Sequence, residues 1–215
     1  VRSRRQRQMC IRDRDYRGAA PINWVIINGE KNTGVSTFFI NENIDTGDII
    51  DQRSIKIDIL DSYGDLYHKL KKIGADLVLD SVNNIIENKI NLKPQINTSN
   101  LNSANKLNKE NCKIEWTMKA SKVYNMIRGL SPYPGAHCFL VHKKETLKII
   151  IYSSKIEIET HQLNNGQIII EKKQIKIATT DGFIIPQEIK VQGKKRMSVS
   201  DLMNGFKFDL DSKFI

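Results

Sequence analysis

Apolar positions recur along this chain at two periods, and the two periods predict different elements. The run Val35-Ser36-Thr37-Phe38-Phe39-Ile40 follows the turn-like Lys31-Asn32-Thr33-Gly34 and predicts a strand over 35–40. A second strand is predicted from Asp48 to about Ile57, where Ile55, Ile57 and Ile59 alternate with Lys56 and Asp58. Between the two strands lies Ile44-Asp45-Thr46-Gly47-Asp48, a tight glycine-containing loop that holds Asp45 at the bend. Upstream, Pro21 stands near the first turn of a buried helix carrying Ile22, Trp24, Val25, Ile26 and Ile27, closed by Asn28-Gly29. Downstream the period changes to 3.6. Leu66, Leu70, Ile73, Leu77, Val78, Val82, Ile85 and Ile86 form one stripe of a helix over about 62–88. Ser62 with Asp65 makes a capping box at its start, with Asp in place of Glu.

The pattern fades over 93–112, where Asn, Ser and Lys dominate, and this stretch reads as an interdomain linker. A short amphipathic helix over about 118–129 follows, with Ala120, Val123, Tyr124, Ile127 and Leu130 on one side, stopped by Gly129 and Ser131-Pro132-Tyr133-Pro134-Gly135. Strand-like runs then succeed one another: Ala136–Val141, Thr146–Tyr152, Lys155–Glu159, Gln167–Glu171, Gln174–Ala178 and Gly182–Val191. Asn164-Asn165-Gly166 and Asp181-Gly182 separate some of them as hairpin turns. So many short strands predict a small β-barrel, because closure removes free edges. A terminal helix over 198–206 is capped by Ser198 or Ser200.

Charge divides the chain unevenly. The formal net charge is +10. Residues 1–14 carry six Arg and one Asp, residues 15–111 carry 11 basic and 13 acidic groups, and residues 112–215 carry 17 basic and 10 acidic groups. The basic C-terminal half suits a polyanionic partner, while a solvated lysine-rich surface is the plainer reading. Residues 1–14 use only Arg where the later chain favours Lys, and they show no apolar period. A basic RNA-binding arm is one reading. The preferred one is a segment foreign to the rest, similar to translated sequencing-adapter sequence, to be set aside in reasoning about the fold. No apolar run approaches a membrane span and no secretory signal stands at the start, so a cytoplasmic location is expected. Cys10, Cys112 and Cys138 fit neither a zinc spacing nor an even disulfide set, so a reducing, cytosolic context without a metal site is expected.

A carboxylate on a glycine loop between buried strands is held and partly desolvated, as proton handling requires, although such loops are more often plain surface turns. Five blocks in register sharpen this reading. Tyr16-Arg17-Gly18-Ala19-Ala20-Pro21-Ile22, Thr33-Gly34-Val35 and Ile44-Asp45-Thr46-Gly47-Asp48-Ile49 resemble the second half of a formyltransferase domain. Arg128-Gly129-Leu130-Ser131-Pro132-Tyr133-Pro134-Gly135-Ala136 and Gly193-Lys194-Lys195-Arg196-Met197-Ser198 resemble the C-terminal domain of the methionyl-tRNA formyltransferase family.

The resemblance covers residue 15 to the end and implies an α/β plus β fold. Residues 15–92 would be the second half of a Rossmann-like formyltransferase domain, 93–112 the linker, and 113–215 a small OB-like β-barrel contributing to tRNA binding. It implies formyl transfer from 10-formyltetrahydrofolate to the amino group of methionyl initiator tRNA, with no metal, no membrane and no stable protein partner. Asp45 maps to the family's catalytic Asp, and Asn41, Glu42, Asn43 and Ile44 to the segment against the folate pterin ring. Asp48 is the second carboxylate, with a structural turn role expected. Arg17, Lys143, Lys144, Lys172, Lys173, Lys194, Lys195 and Arg196 are the candidate tRNA contacts, expected to read backbone rather than stack on bases, since few aromatics interleave with them.

One departure stands out. The family's catalytic Asn and His belong to a block just before Asp15-Tyr16-Arg17, where this chain has Arg4-Arg5-Gln6-Arg7-Gln8-Met9-Cys10-Ile11-Arg12-Asp13-Arg14. His68, His137, His142 and His161 match nothing catalytic. The expectation is an N-terminally truncated, inactive relative whose 15–92 unit exposes a sheet edge and an apolar face. The alternatives are a sugar-nucleotide formyltransferase, a formyltetrahydrofolate hydrolase-type domain, and a non-enzymatic RNA-binding fragment.

Overall fold

The computed structural model describes residues 16–40, 47–95, 102–171, 174–209 and 211–215, with the backbone of Met9 and Cys10. The chain divides into two compact units, Val1–Val25 with Glu30–Lys106, and Ile26–Gly29 with Leu107–Ile215.

In the first unit the elements run β1 (Met9–Cys10), β2 (Arg17–Gly18), α1 (Pro21–Ile27, whose last two residues join the second unit), β3 (Asn32–Phe38), β4 (Ile49–Lys56), α2 (Tyr63–Ile86) and β5 (Ser103–Ala104). β3 lies between β1 and β4, antiparallel to both, while β2 and β5 form a separate parallel pair with Arg17 opposite Ser103. Three expectations change here. Asn32-Thr33-Gly34 is not a turn but the first part of β3, with Asn32 opposite Lys56. Gly34 permits this, since a Cβ there would lie 2.4 Å from the Arg53 carbonyl oxygen. The arginine-rich segment is not wholly outside the fold, because Cys10 and Met9 pair with Val35 and Ser36. A strand edge offers N–H and C=O groups to any extended chain, whatever its side chains. The 93–112 stretch is partly stitched down: Lys93 exchanges backbone hydrogen bonds with Ile49, and Tyr16 donates to the Asn102 carbonyl at 2.7 Å.

Helix α2 begins with the capping box as expected, Ser62 accepting from the Asp65 N–H and Asp65 accepting from the Ser62 N–H. Its buried face is Leu66, Leu70, Gly74, Leu77 and Ser81, so the apolar stripe drifts from the one expected. Val82 and Ile86 point out, Ile86 being 72% exposed. Small residues let this face approach β3 closely, and the Thr37 and Ser81 hydroxyls meet at 2.6 Å in the buried contact. An Arg53–Asp80 ion pair flanks the docking.

The second unit holds α3 (Ala120–Leu130), β6 (Ala136–His142), β7 (Glu145–Ile158), β8 (Ile168–Glu171), β9 (Gln174–Ala178), β10 (Gly182–Val191), β11 (Arg196–Ser198), α4 (Val199–Gly205) and β12 (Lys213–Phe214). One sheet runs β12-β6-β7-β10-β9-β8, with β11 added on β10. An isolated bridge between Gln167 and Lys213 ties its two ends, so the sheet curls around an apolar interior. That interior packs Val123, Ile127 and Leu130 of α3 against Leu140, Ile149, Ile151, Ile177, Ile184 and Ile189. The two strands expected at 146–152 and 155–159 are one strand, because Ser153 and Ser154 continue the ladder opposite Glu188 and Pro186. Ladder hydrogen bonds are backbone bonds, so two serines need not interrupt them. Ser198, not Ser200, caps α4 by accepting from the Asp201 N–H.

Candidate functional site

The strand–loop–strand of the first unit has a pinned neck. The Phe39 N–H donates to the Asp48 carbonyl at 3.0 Å, and the Gln95 side chain donates to the Gly47 carbonyl. Gly47 is buried against Phe39, where a Cβ would collide with the Phe39 carbonyl oxygen. At the same place the β3–β4 register slips: Thr37 faces Asp51 but Phe38 faces Ile49, leaving Ile50 as a bulge. Bulges re-aim a strand, and here one directs the chain into the loop. Asp45, Asn41, Glu42, Asn43 and Ile44 lie outside the described residues. Asp48, the second carboxylate, is exposed and spends its backbone carbonyl on the neck.

Arg17 sits in β2 with a guanidinium nitrogen buried and unpartnered among the described residues. His68 is exposed on α2. His142 Nδ1 lies 2.9 Å from the Ser212 hydroxyl, and His161 Nε2 lies 3.2 Å from the Gly182 carbonyl. His137 is buried in β6, where desolvation first, then Lys148 and Lys113, lowers its pKa. Among the described residues no group of three or more His, Cys, Asp or Glu side chains could hold a metal ion, and no helix is long and apolar enough to cross a membrane.

Among the described residues, the basic candidates of the second unit lie at or beside two turns. Lys143-Lys144 is the two-residue loop of the β6–β7 hairpin, His142 facing Glu145, and both lysines have positive φ, 50° and 65°. That is a type I′ geometry, normally filled by Asn-Gly, so two side chains are held there against backbone preference. Lys194, Lys195 and Arg196 follow the turn at Gly193 (φ 76°), which Lys194 closes by donating to Val191 at 2.9 Å. Gln192 ties that turn to β7, its N–H donating to the Lys148 carbonyl at 2.8 Å. Lys172 and Lys173 lie outside the described residues.

Few aromatics interleave with these cations in sequence, but two rings lie beside them in space. The Arg196 guanidinium lies 4.4 Å from the centroid of the Tyr152 ring, and Lys194 Nζ lies 6.0 Å from that of Phe206. Tyr152 is 44 residues from Arg196 in sequence, so only strand pairing brings them together.

Comparison with known proteins places this geometry. The family described as "Formyl transferase" matches residues 14–82, and the family "Formyl transferase, C-terminal domain" matches residues 106–207. A methionyl-tRNA formyltransferase of Flavobacterium johnsoniae is 46% identical over 199 residues, covering 93% of this chain and 63% of that protein. That of Flavobacterium psychrophilum is 44% identical, covering 90% and 61%. The chain therefore spans about three-fifths of the length of these curated relatives. Among solved structures, an N-formyltransferase from Helicobacter canadensis in complex with folinic acid and dTDP-3-aminofucose aligns with a TM-score of 0.61 at 26% identity, covering 80% of this chain and 61% of that one. HypX from Aquifex aeolicus in complex with tetrahydrofolic acid shares the fold, with a TM-score of 0.64 at 18% identity, covering 90% of this chain and 34% of that one.

Proposed function

The chain belongs to the formyl transferase family, and on that premise we propose that the protein it represents moves a formyl group from 10-formyltetrahydrofolate to the α-amine of methionyl initiator tRNA in the cytoplasm. The observation that carries this is identity of 46% and 44% to methionyl-tRNA formyltransferases over at least 90% of this chain, which takes in both units. Residues 15–92 act as the second half of the catalytic domain, 93–112 as the linker, and 113–215 as an OB-like tRNA-binding barrel. The first 14 residues are foreign to that function.

Attack of an amine on a formyl carbonyl builds a tetrahedral oxyanion and releases a proton; collapse of the oxyanion breaks the bond from the formyl carbon to N10, and tetrahydrofolate leaves with a proton on N10. Asp45 receives that proton, directly or through one water, and keeps an oxyanion-stabilising His charged. Asn41, Glu42, Asn43 and Ile44 hold the pterin of the folate donor, and their amide and carboxylate groups suit the hydrogen-bonding edges of that ring. The pinned neck at Phe39, Gly47 and Asp48 supports this reading, since it fixes both ends of the loop. Arg17, Lys143, Lys144, Lys172, Lys173, Lys194, Lys195 and Arg196 meet tRNA.

Residues 4–14 supply neither the Asn nor the His of that chemistry, so the reaction needs the block that the family carries ahead of Asp15. The test is a methionyl-tRNA formylation assay on this chain and on a version carrying Asn-x-His-x-Ser-Leu-Leu-Pro, with the first half of the domain, ahead of Asp15. Activity of the extended version alone, lost with Asp45→Asn, is the expected result. Normal turnover by the 215-residue chain refutes the need for that block, and formylation of amino-sugar nucleotides but not methionyl-tRNA refutes the substrate. The 26% identity to the Helicobacter canadensis protein favours that sugar reading, while 17 basic against 10 acidic residues over 112–215 favours tRNA.

A further inference from the structure

We propose that the Arg196–Tyr152 pair is a stacking platform for an unpaired nucleobase of the bound RNA, so that Arg196 reads a base face rather than neutralising a phosphate. The inference rests on the tRNA reading above and names how one part of that surface works.

Four observations fix the platform. Tyr152 occupies a bulge: Ile151 faces Ile189 and Ser153 faces Glu188, so Tyr152 is the extra residue, next to a compensating slip at Gln187. A bulge turns a side chain away from the regular ladder. Arg196, in β11, is ion-paired with Glu188, the residue facing Ser153. The guanidinium centre stands 4.4 Å from the Tyr152 ring centroid, close enough for a cation–π stack. Its side chain is still 43% exposed, so the stack presents an open outer surface.

The surroundings suit a base. The Ser131–Gly135 loop runs against the Tyr152 ring, where a Cβ at Gly135 would sit 3.4 Å from a ring carbon, and the backbone there (φ 85°) favours glycine. The same loop carries Tyr133, 78% exposed between Pro132 and Pro134. A large ring held out by two prolines loses little further entropy on binding. Beside the platform, Lys194 and Lys195 stand exposed on the anchored turn and can take the neighbouring phosphates. Planar stacking groups next to exposed cations are what single-stranded RNA needs, since each base offers a π-face and each nucleotide a phosphate. Lysine supplies the charge of arginine but not the plane, so the two roles separate chemically.

The experiment measures binding of initiator tRNA to the whole chain across a salt series, with Arg196→Lys, Tyr152→Leu and Lys195→Ala, each checked by circular dichroism. The expected result is that Arg196→Lys and Tyr152→Leu weaken binding about five- to tenfold at every salt concentration with an unchanged log–log slope, whereas Lys195→Ala lowers the slope. Tyr133→Ala shows a smaller loss of the same kind. Binding in which Arg196→Lys is silent, or in which Arg196→Ala lowers the slope, makes Arg196 a phosphate contact and overturns the inference while leaving the tRNA reading intact. A chain that binds no tRNA overturns both.

Discussion

The β6–β7 hairpin tip offers a substitution whose effects on stability and on binding have opposite signs. Lys143 and Lys144 both sit at positive φ, 50° and 65°, in a two-residue loop. A side chain in the left-handed region costs about 1–2 kcal/mol per residue. Lys143→Asn with Lys144→Gly places the preferred I′ pair there and relieves most of that strain, offset by about 0.5–1 kcal/mol for the freer unfolded glycine. The net gain is about 1 kcal/mol, equivalent to about 2–4 °C in Tm for a chain of this size. The same double substitution removes two exposed cations. If both meet phosphate, the slope of log K against log salt falls by about 1.5–2, and binding at low salt weakens most. Differential scanning calorimetry and a tRNA titration at several salt concentrations read the two effects on one preparation. A Tm that falls refutes the strain argument. A salt slope that does not change removes the tip from the tRNA-binding surface.

Other expectations follow from single contacts. Asp181 caps α3 from outside the helix, accepting from the Ala120 N–H at 2.7 Å, because the N-cap Lys119 provides no side-chain bond. Asp181→Ala therefore destabilises the second unit by about 1–2 kcal/mol, and Asp181→Asn, which keeps an acceptor but no charge at the helix N-terminus, by about half that, read from denaturant midpoints. Burial first, and then nearby Lys148 and Lys113, lower the pKa of His137 from its ordinary 6.5. Its contribution to stability is present above pH 6.5 and is lost as pH falls below that toward its depressed folded value. His137→Gln should flatten the acid limb of a stability–pH profile, and an unaltered limb refutes the assignment. Cys138 is fully buried and Cys112 largely so, both with pKa raised by desolvation, so a Cys10→Ser variant should react with thiol reagents only on unfolding. Rapid native labelling of either thiol would contradict the packing.

Residue pattern alone determined a good part of this protein. The α2 helix and its capping box, the β3–β4 pair around a glycine loop, the run of short strands and the Ser198 cap all follow from local signals, because propensity, capping and period act within a few residues. The family blocks around Asp45 and along 128–136 were equally legible as sequence. Tertiary structure decided what depends on distant partners. Gly34 looked like a turn residue and is a strand residue because the Arg53 backbone presses on it. Gly74 and Ser81 are on the buried face of α2 because β3 needs close approach, which hydropathy does not measure. Asp181 looked like a hairpin residue and also caps a helix 61 positions away in sequence. Arg196 looked like one cation in a basic run until the β7–β10–β11 ladder set it on Tyr152. For Gly34 and Arg196 backbone pairing chose the neighbour, and for Gly74, Ser81 and Asp181 the packing of one element on another did; the neighbour then fixed the role.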